Sequence, residues 1–275
     1  MVVSLWPKDV WGSSMKIAIC LYGNVGHNNC ASARPARTCE ELIHESNIAN
    51  KDILPTYRNL KNIIDKYEAE VFVHSWSTNK EKEIIDHYKP RKHEILPQAN
   101  FEVDLEEYGI KGGDISKWDI SESTRFGYEG LLPSRQTVDN ILKELALLAF
   151  RTKSRWWSTK RTLELKKQYE DEQGFRYDFV LLNRFDNKFL TPLPFEKLEK
   201  DKIYASKRTG RIDIDYTLFD YWFVGDSHIM DQFGALYDNI HSYSIRPTFA
   251  CREHIEKVLG KGALITPNWK YQLFR

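Results

Sequence analysis

The segment Tyr177-Asp178-Phe179-Val180-Leu181-Leu182-Asn183-Arg184-Phe185-Asp186-Asn187 constrains this chain more than any other. Phe179 to Leu182 is an apolar run of the length expected for a strand buried on both faces. Arg184 and Asp186 follow it at i, i+2, on one side of an extended chain. In open α/β sheets ligands sit outside the carboxyl ends of the strands. A lone carboxylate there, beside an arginine, suits a divalent cation and the diphosphate it carries. The plainer reading of the same pair is a salt-bridged strand end.

Other segments extend this pattern. Lys16 to Tyr22 reads as a first strand ending at Gly23, followed by a polar loop to about Arg37. Helices are expected over Glu40 to Asn50 and Ile53 to Tyr67, where Leu60, Ile63, Ile64 and Tyr67 keep helical spacing. Glu70 to His74 is the next strand, ending in Ser75-Trp76, and Glu81 to Tyr88 a short helix before a strand at Arg91 to Leu96. Asn100 to Arg135 is irregular and reads as an insertion or a lid. Val138 to Phe150 and Trp156 to Gln173 read as two helices separated by a basic break, the second stopped by Gly174. Strands at Lys202 to Ser206 and Tyr221 to Val224 follow. After them come a helix capped by Ser227, a last helix from Glu253 to Leu259 and a closing strand at Ala263 to Ile265. Alternating strands and helices imply an α/β fold with a mostly parallel central sheet flanked by helices.

Composition narrows the function. With 275 residues, 41% hydrophobic and 29% charged, the chain is an ordinary globular protein with a substantial core. A net charge of +1 speaks against electrostatic attraction to nucleic acid or anionic membranes. No apolar run reaches the roughly 20 residues that span a bilayer. Residues 1–14 lack the layout of a signal peptide and read as an extension before a domain covering 15–275. Cys20, Cys30, Cys39 and Cys251 form no C-x-x-C pair, which fits a reducing compartment, so the expected location is the cytoplasm.

Four motifs together resemble GT-A-type glycosyltransferases, such as those of bacterial surface-polysaccharide clusters and large viruses. They are the strand Lys16 to Gly23 with Arg37-Thr38 after it, Val71-Phe72-Val73-His74-Ser75-Trp76, the Trp156 to Lys160 stretch leading to Arg184-Phe185-Asp186, and Asp220 to Ser227. The resemblance implies a single GT-A-like (Rossmann-like) domain with an embellished C-terminal half. Residues 15–190 would bind the nucleotide sugar and 191–275 the acceptor. The implied activity is a hexosyltransferase-like, inverting transfer from a UDP-, GDP- or dTDP-sugar to a glycan or glycoconjugate. The family's D-x-D reads Arg184-Phe185-Asp186 here, which leaves Asp186 as the expected ligand of a divalent metal, Mn2+ or Mg2+, and lets Arg184 share the charge. A literal D-x-D, Asp213 and Asp215, competes for the metal from a polar segment.

Expected donor contacts are Tyr22, Gly23, Arg37, His74, Trp76 and Arg184. Ser158 and Lys160 join them because a helix start favours anions. For the base that deprotonates the acceptor, Glu253 is slightly preferred over Asp220. Two other readings stay open: a methyltransferase or dehydrogenase on a Rossmann sheet, for which Gly23-Asn24-Val25-Gly26 is a partial match, and a non-catalytic nucleotide-sugar or glycan-binding protein.

Overall fold

The computed structural model describes residues 15–25, 38–40, 53–111, 137–207 and 218–273. Strands β1 (Ile17–Gly23), β2 (Glu70–Ser75) and β3 (Lys92–Ile95) alternate with helices α1 (Leu54–Tyr67) and α2 (Glu81–Tyr88). Helix α3 (Val138–Gln173) leads into β4 (Phe179–Arg184) and the short β5 (Asn187–Phe189). Then come β6 (Ile203–Lys207), β7 (Leu218–Gly225), α4 (Ser227–Gly234), α5 (Pro247–His254), β8 (Leu264–Ile265) and β9 (Tyr271–Leu273).

Seven strands form one sheet in the order β3-β2-β1-β4-β7-β6-β8, and β5 pairs with β9 apart from it. The ladders β3·β2, β2·β1, β1·β4 and β6·β8 are parallel, whereas β7 runs antiparallel to both β4 and β6. The expected α/β fold with a mostly parallel sheet is therefore what the chain adopts, with β7 as the reversed strand.

The period of two along β1 explains the layering. Ala18, Cys20 and Tyr22 face a core with Trp156 and Leu163 of α3, Phe223 of β7 and Phe233 of α4. Ile17, Ile19 and Leu21 face the opposite core, with Leu60 and Ile63 of α1 and Ile84 of α2. A strand buried on both faces has no polar alternation, which is why β1 and β4 read as continuous apolar runs.

Helix α3 departs from expectation. It is one helix of 36 residues, capped by Thr137 Oγ1, which accepts from the Asn140 amide, and ended at Gly174 with φ 70°. No proline or glycine interrupts 138–173, and arginine and lysine are good helix formers, so the basic stretch costs the helix little. Its polar groups also find partners: Thr152 Oγ1 donates to the Ile245 carbonyl (2.6 Å) and Lys153 Nζ to the Glu102 carbonyl (2.8 Å). Two smaller corrections concern caps and ends. Asp226, not Ser227, caps α4 through the Ile229 amide, and the last helical segment opens at Pro247 rather than Glu253. Residues 41–50 of the expected helix over Glu40 to Asn50 and most of the irregular Asn100 to Arg135 stretch lie outside the described residues.

At the amino-terminal edge of the sheet, a buried ionic cluster ties α3 to α4. Lys166 Nζ donates to Glu170 Oε2 (2.9 Å), Ser227 Oγ (2.6 Å) and Asp231 Oδ1 (2.7 Å). Glu170 also accepts from the Tyr177 amide (2.8 Å) just before β4. Lys166 and Glu170 are fully buried, so loss of one partner strands the other's charge. Lys166→Met is expected to destabilise the fold by about 3–5 kcal/mol, read from the midpoint of urea unfolding. A change under about 1 kcal/mol would show that Arg176, Ser227 and the Tyr177 amide satisfy Glu170 without Lys166.

Candidate functional site

The parallel register brings the carboxyl ends of β1, β2 and β4 level. Tyr22 pairs with His74 on one side and Arg184 on the other, and Gly23 pairs with Ser75. Because β7 is antiparallel and Asn183 pairs with Trp222, the beginning of β7, with Asp220, reaches the same edge. A cavity of about 220 Å³ opens there, lined by Tyr22, Gly23, Trp76, Arg184 and Asp220. Helix α3 adds Arg151, Ser154 and Arg155 to the wall. Three arginines thus face one carboxylate, a surplus that suits an anion. The volume equals that of about seven liquid waters, which is room for a diphosphate or one sugar ring.

Gly23 is the pivot of the edge. Its φ of +88° is one that residues with a side chain rarely adopt. Its amide donates to Ser158 Oγ (2.8 Å), and its carbonyl accepts from Ser75 Oγ (2.9 Å). Ser158 Oγ also bonds His74 Nδ1 at 2.7 Å. Burial pulls the His74 pKa down to about 4, against the opposing pull of Glu94, so the imidazole is neutral at pH 7. Trp76 sits edge-on to His74, with ring centroids 4.6 Å apart. It is almost fully buried, and its indole Nε1 has no acceptor among the described residues.

The two inner arginines are held differently. Arg184 grips Asp186 side-on, Nε to Oδ1 at 2.8 Å and Nη2 to Oδ2 at 2.5 Å. Burial lowers the pKa of this guanidinium, but Asp186 and then Asp220 override it and keep its pKa above the ordinary arginine value. Arg155 lies over the Tyr22 ring, its central carbon 4.1 Å from the centroid, and its Nε is 3.3 Å from Asp220 Oδ2. That contact lacks the alignment of a hydrogen bond, and both Nε and Nη2 are buried without an acceptor among the described residues. Such a donor costs about 1–3 kcal/mol for as long as it is unmet. Burial pushes the Tyr22 phenol up, with Arg155 and Arg184 pulling the other way. Its hydroxyl donates to the Asp220 carbonyl at 2.9 Å.

The structure therefore brings Tyr22, Gly23, Trp76, Arg184 and Asp220 together. His74 and Ser158 lie just behind them, as parts of the framework. Ser158 and Lys160 are mid-helix, so no free amides surround them, and the anion argument made for a helix start does not apply. Lys160 pairs outward with Asp238 and Glu164. Glu253 is in the last turn of α5, where its Oε2 accepts the Ser244 amide (2.6 Å), and it is not on the cavity wall. Arg37, Asp213 and Asp215 lie outside the described residues. Arg155 and Arg151 are the residues that sequence reasoning missed as site residues. Their signal was present, since 151, 155 and 158 share one face of an uninterrupted helix.

Asp186, the expected metal ligand, is 5% exposed and spends both oxygens on Arg184. Among the described residues no group of three or more His, Cys, Asp or Glu is placed to hold a metal ion. Among the described residues, the donors as arranged do not fit a divalent cation. A larger groove, about 630 Å³, lies at the opposite edge by Arg176, Asp226 and Asp231. Those charges are already committed, to Glu170, to the cap of α4 and to Lys166 respectively.

No family model matches the chain, and no curated protein matches it. A solved structure described as a transferase mutant is similar at a TM-score of 0.37 and 14% identity, over 94% of this chain and 88% of that one. A likeness of that degree carries no argument. Among the described residues no helix is long and apolar enough to cross a membrane.

The neutral, buried His74 has a consequence for pH. Its pKa in the folded chain, about 4, lies below the ordinary 6.5, so between those values the unfolded chain binds a proton that the folded one refuses. Stability contributed this way is full above about pH 6.5 and is lost as pH falls, by up to about 1.4 kcal/mol per pH unit. His254, whose pKa burial also lowers, acts in the same direction. Denaturant unfolding from pH 6.5 to 5 should show this slope, and His74→Gln should make it shallower. An identical slope in the variant would assign the dependence elsewhere.

Proposed function

We propose that this protein is a GT-A-like glycosyltransferase that moves a sugar from a nucleotide-diphosphate donor to a glycan acceptor with inversion. The carrying observation is the cavity at the carboxyl edge of β1, β2 and β4, whose wall holds Arg151, Arg155 and Arg184 together with Asp220. Glycosyl transfer needs a diphosphate leaving group stabilised as charge develops on it, and guanidinium groups in a partly dry site supply that. Asp220 takes the proton of an acceptor hydroxyl as that oxygen attacks the anomeric carbon. The bond from that carbon to the diphosphate oxygen breaks, and its electron pair leaves with the diphosphate. Arg184, Arg155 and Arg151 meet the released charge, and Asp186 fixes the orientation of Arg184.

The geometry weighs against the methyltransferase or dehydrogenase reading. A glycine-rich turn cradles phosphate with free backbone amides, yet the Gly23 amide is taken by Ser158 and the Val25 amide by Ser77 Oγ (2.9 Å). The occupied Asp186 favours one rival, a nucleotide-sugar binder without turnover. A donor screen scored by released nucleoside diphosphate, with EDTA or with Mn2+, separates the two. Turnover in EDTA supports arginine-based catalysis, and binding without turnover under either condition supports the binder.

Two predictions follow from the assigned roles. Asp220→Asn should bind the donor at least as tightly as wild type and lose transfer by at least about a hundredfold, while Glu253→Gln stays within about threefold of wild type. The reverse ranking would return the base to Glu253. Arg184→Ala should weaken nucleoside-diphosphate binding by about 1.5–3 kcal/mol while nucleoside binding barely changes. Equal losses for the two ligands in calorimetry would make Arg184 purely structural.

A further inference from the structure

Arg184 and Arg155 present the same chemical edge in opposite states. On Arg184, Nε and Nη2 together clasp the two oxygens of Asp186. On Arg155, the corresponding Nε and Nη2 make no hydrogen bond among the described residues, although Asp220 Oδ2 is 3.3 Å away. The Arg155 and Asp220 side chains are 11% and 13% exposed, and both line the cavity. One complete bidentate fork is thus unfilled, closed to solvent and touched by a misaligned carboxylate. A tetrahedral phosphate group offers two oxygens at the spacing such a fork binds.

We infer that Arg155 is a diphosphate-binding fork held in reserve, and that an incoming diphosphate displaces Asp220 from it. Asp220 is the acid that has to move for the fork to be reached. Donor binding would then separate Asp220 from its cation and leave it facing the acceptor, which makes donor-first binding a property of the site. The cation–π contact with Tyr22 holds the guanidinium in place during the exchange. No bond is made or broken, since one anion replaces another. The role in ordering rests on the glycosyltransferase reading, whereas the fork itself does not.

The test is a double-mutant cycle with inorganic pyrophosphate in EDTA, read by calorimetry. Because Asp220 competes for the fork, Asp220→Asn should bind pyrophosphate about fivefold more tightly than wild type. Arg155→Gln should bind about tenfold more weakly. In the Arg155→Gln background the gain from Asp220→Asn should vanish. Arg155→Met, which keeps the apolar stem against Tyr22, replaces Arg155→Gln if thermal melting shows that variant unfolded. Weaker or unchanged binding by Asp220→Asn overturns the inference, as does absence of pyrophosphate binding without metal. A gain that survives loss of Arg155 also overturns it, since that would be a general field effect. Failure of every sugar donor would sink the transfer reading and leave this cycle standing.

Discussion

One hydroxyl sets the register of the site. Ser158 Oγ receives the Gly23 amide and bonds His74 Nδ1, which pins the middle of a 36-residue helix to the ends of two parallel strands. A helix lying on a sheet can slide or rotate at modest cost when its contacts are only apolar, because dispersion and burial are non-directional. A buried serine bonded to a backbone amide and an imidazole removes that freedom. With Ser158 pinned, residues three and seven positions earlier fall on the same helix face. Those residues are Arg155 and Arg151, and both line the cavity.

The charges around the cavity divide into a satisfied pair and an unsatisfied one. Arg184 and Asp186, two residues apart at a strand end, form their side-on bridge within one short loop. Asn183 and Asn187 brace that loop, with Asn187 Nδ2 donating to Asn183 Oδ1 at 2.7 Å. Arg155 and Asp220 come from a helix and a strand far apart in sequence, and they meet without hydrogen-bond alignment. A local pair can optimise its geometry independently of the rest of the fold. A pair assembled by tertiary packing inherits whatever geometry the packing leaves, and here that geometry retains unmet donor capacity beside a cavity.

Much of the edge was legible in sequence. Buried runs in β1, β2 and β4 are unmistakable, and the polar or aromatic residues that end such runs must lie at the carboxyl edge of a parallel sheet. That logic reached Tyr22, Gly23, Trp76 and Arg184. It failed on helix α3, where Arg151, Lys153 and Arg155 read as a break. The partners that hold them, the Glu102 carbonyl and the Asp220 carboxylate, are distant in sequence. The same limit misplaced Ser158 and Lys160 at a helix start. Glu253 was expected at a helix start for a related reason: Pro247 opens the helix six residues earlier and the helical backbone runs on through Ile255–Leu259, so Glu253 sits within it and its carboxylate accepts the Ser244 amide.

The reversal of β7 decides which acidic residue belongs to the site. Both Asp220 and Asp226 flank the apolar run Tyr221 to Val224, and a sequence reading alone does not rank them by strand direction. Had β7 run parallel to β4, its carboxyl end, Gly225-Asp226, would lie beside Arg184, and Asp220 would sit at the far edge. The antiparallel register, Val180 with Gly225 and Asn183 with Trp222, gives the opposite result. Asp226 is carried to the amino-terminal edge, where its carboxylate caps α4 and accepts the Asp201 amide (2.7 Å). Asp220 is left beside Arg155, within the field of Arg184. Close packing reinforces this direction at Gly225, where a Cβ would meet the Lys202 carbonyl and Ile229 at 3.1 Å, so the strand passes directly into α4. One reversed strand thus gives two similar aspartates separate tasks, a structural cap at one edge and the cavity carboxylate at the other.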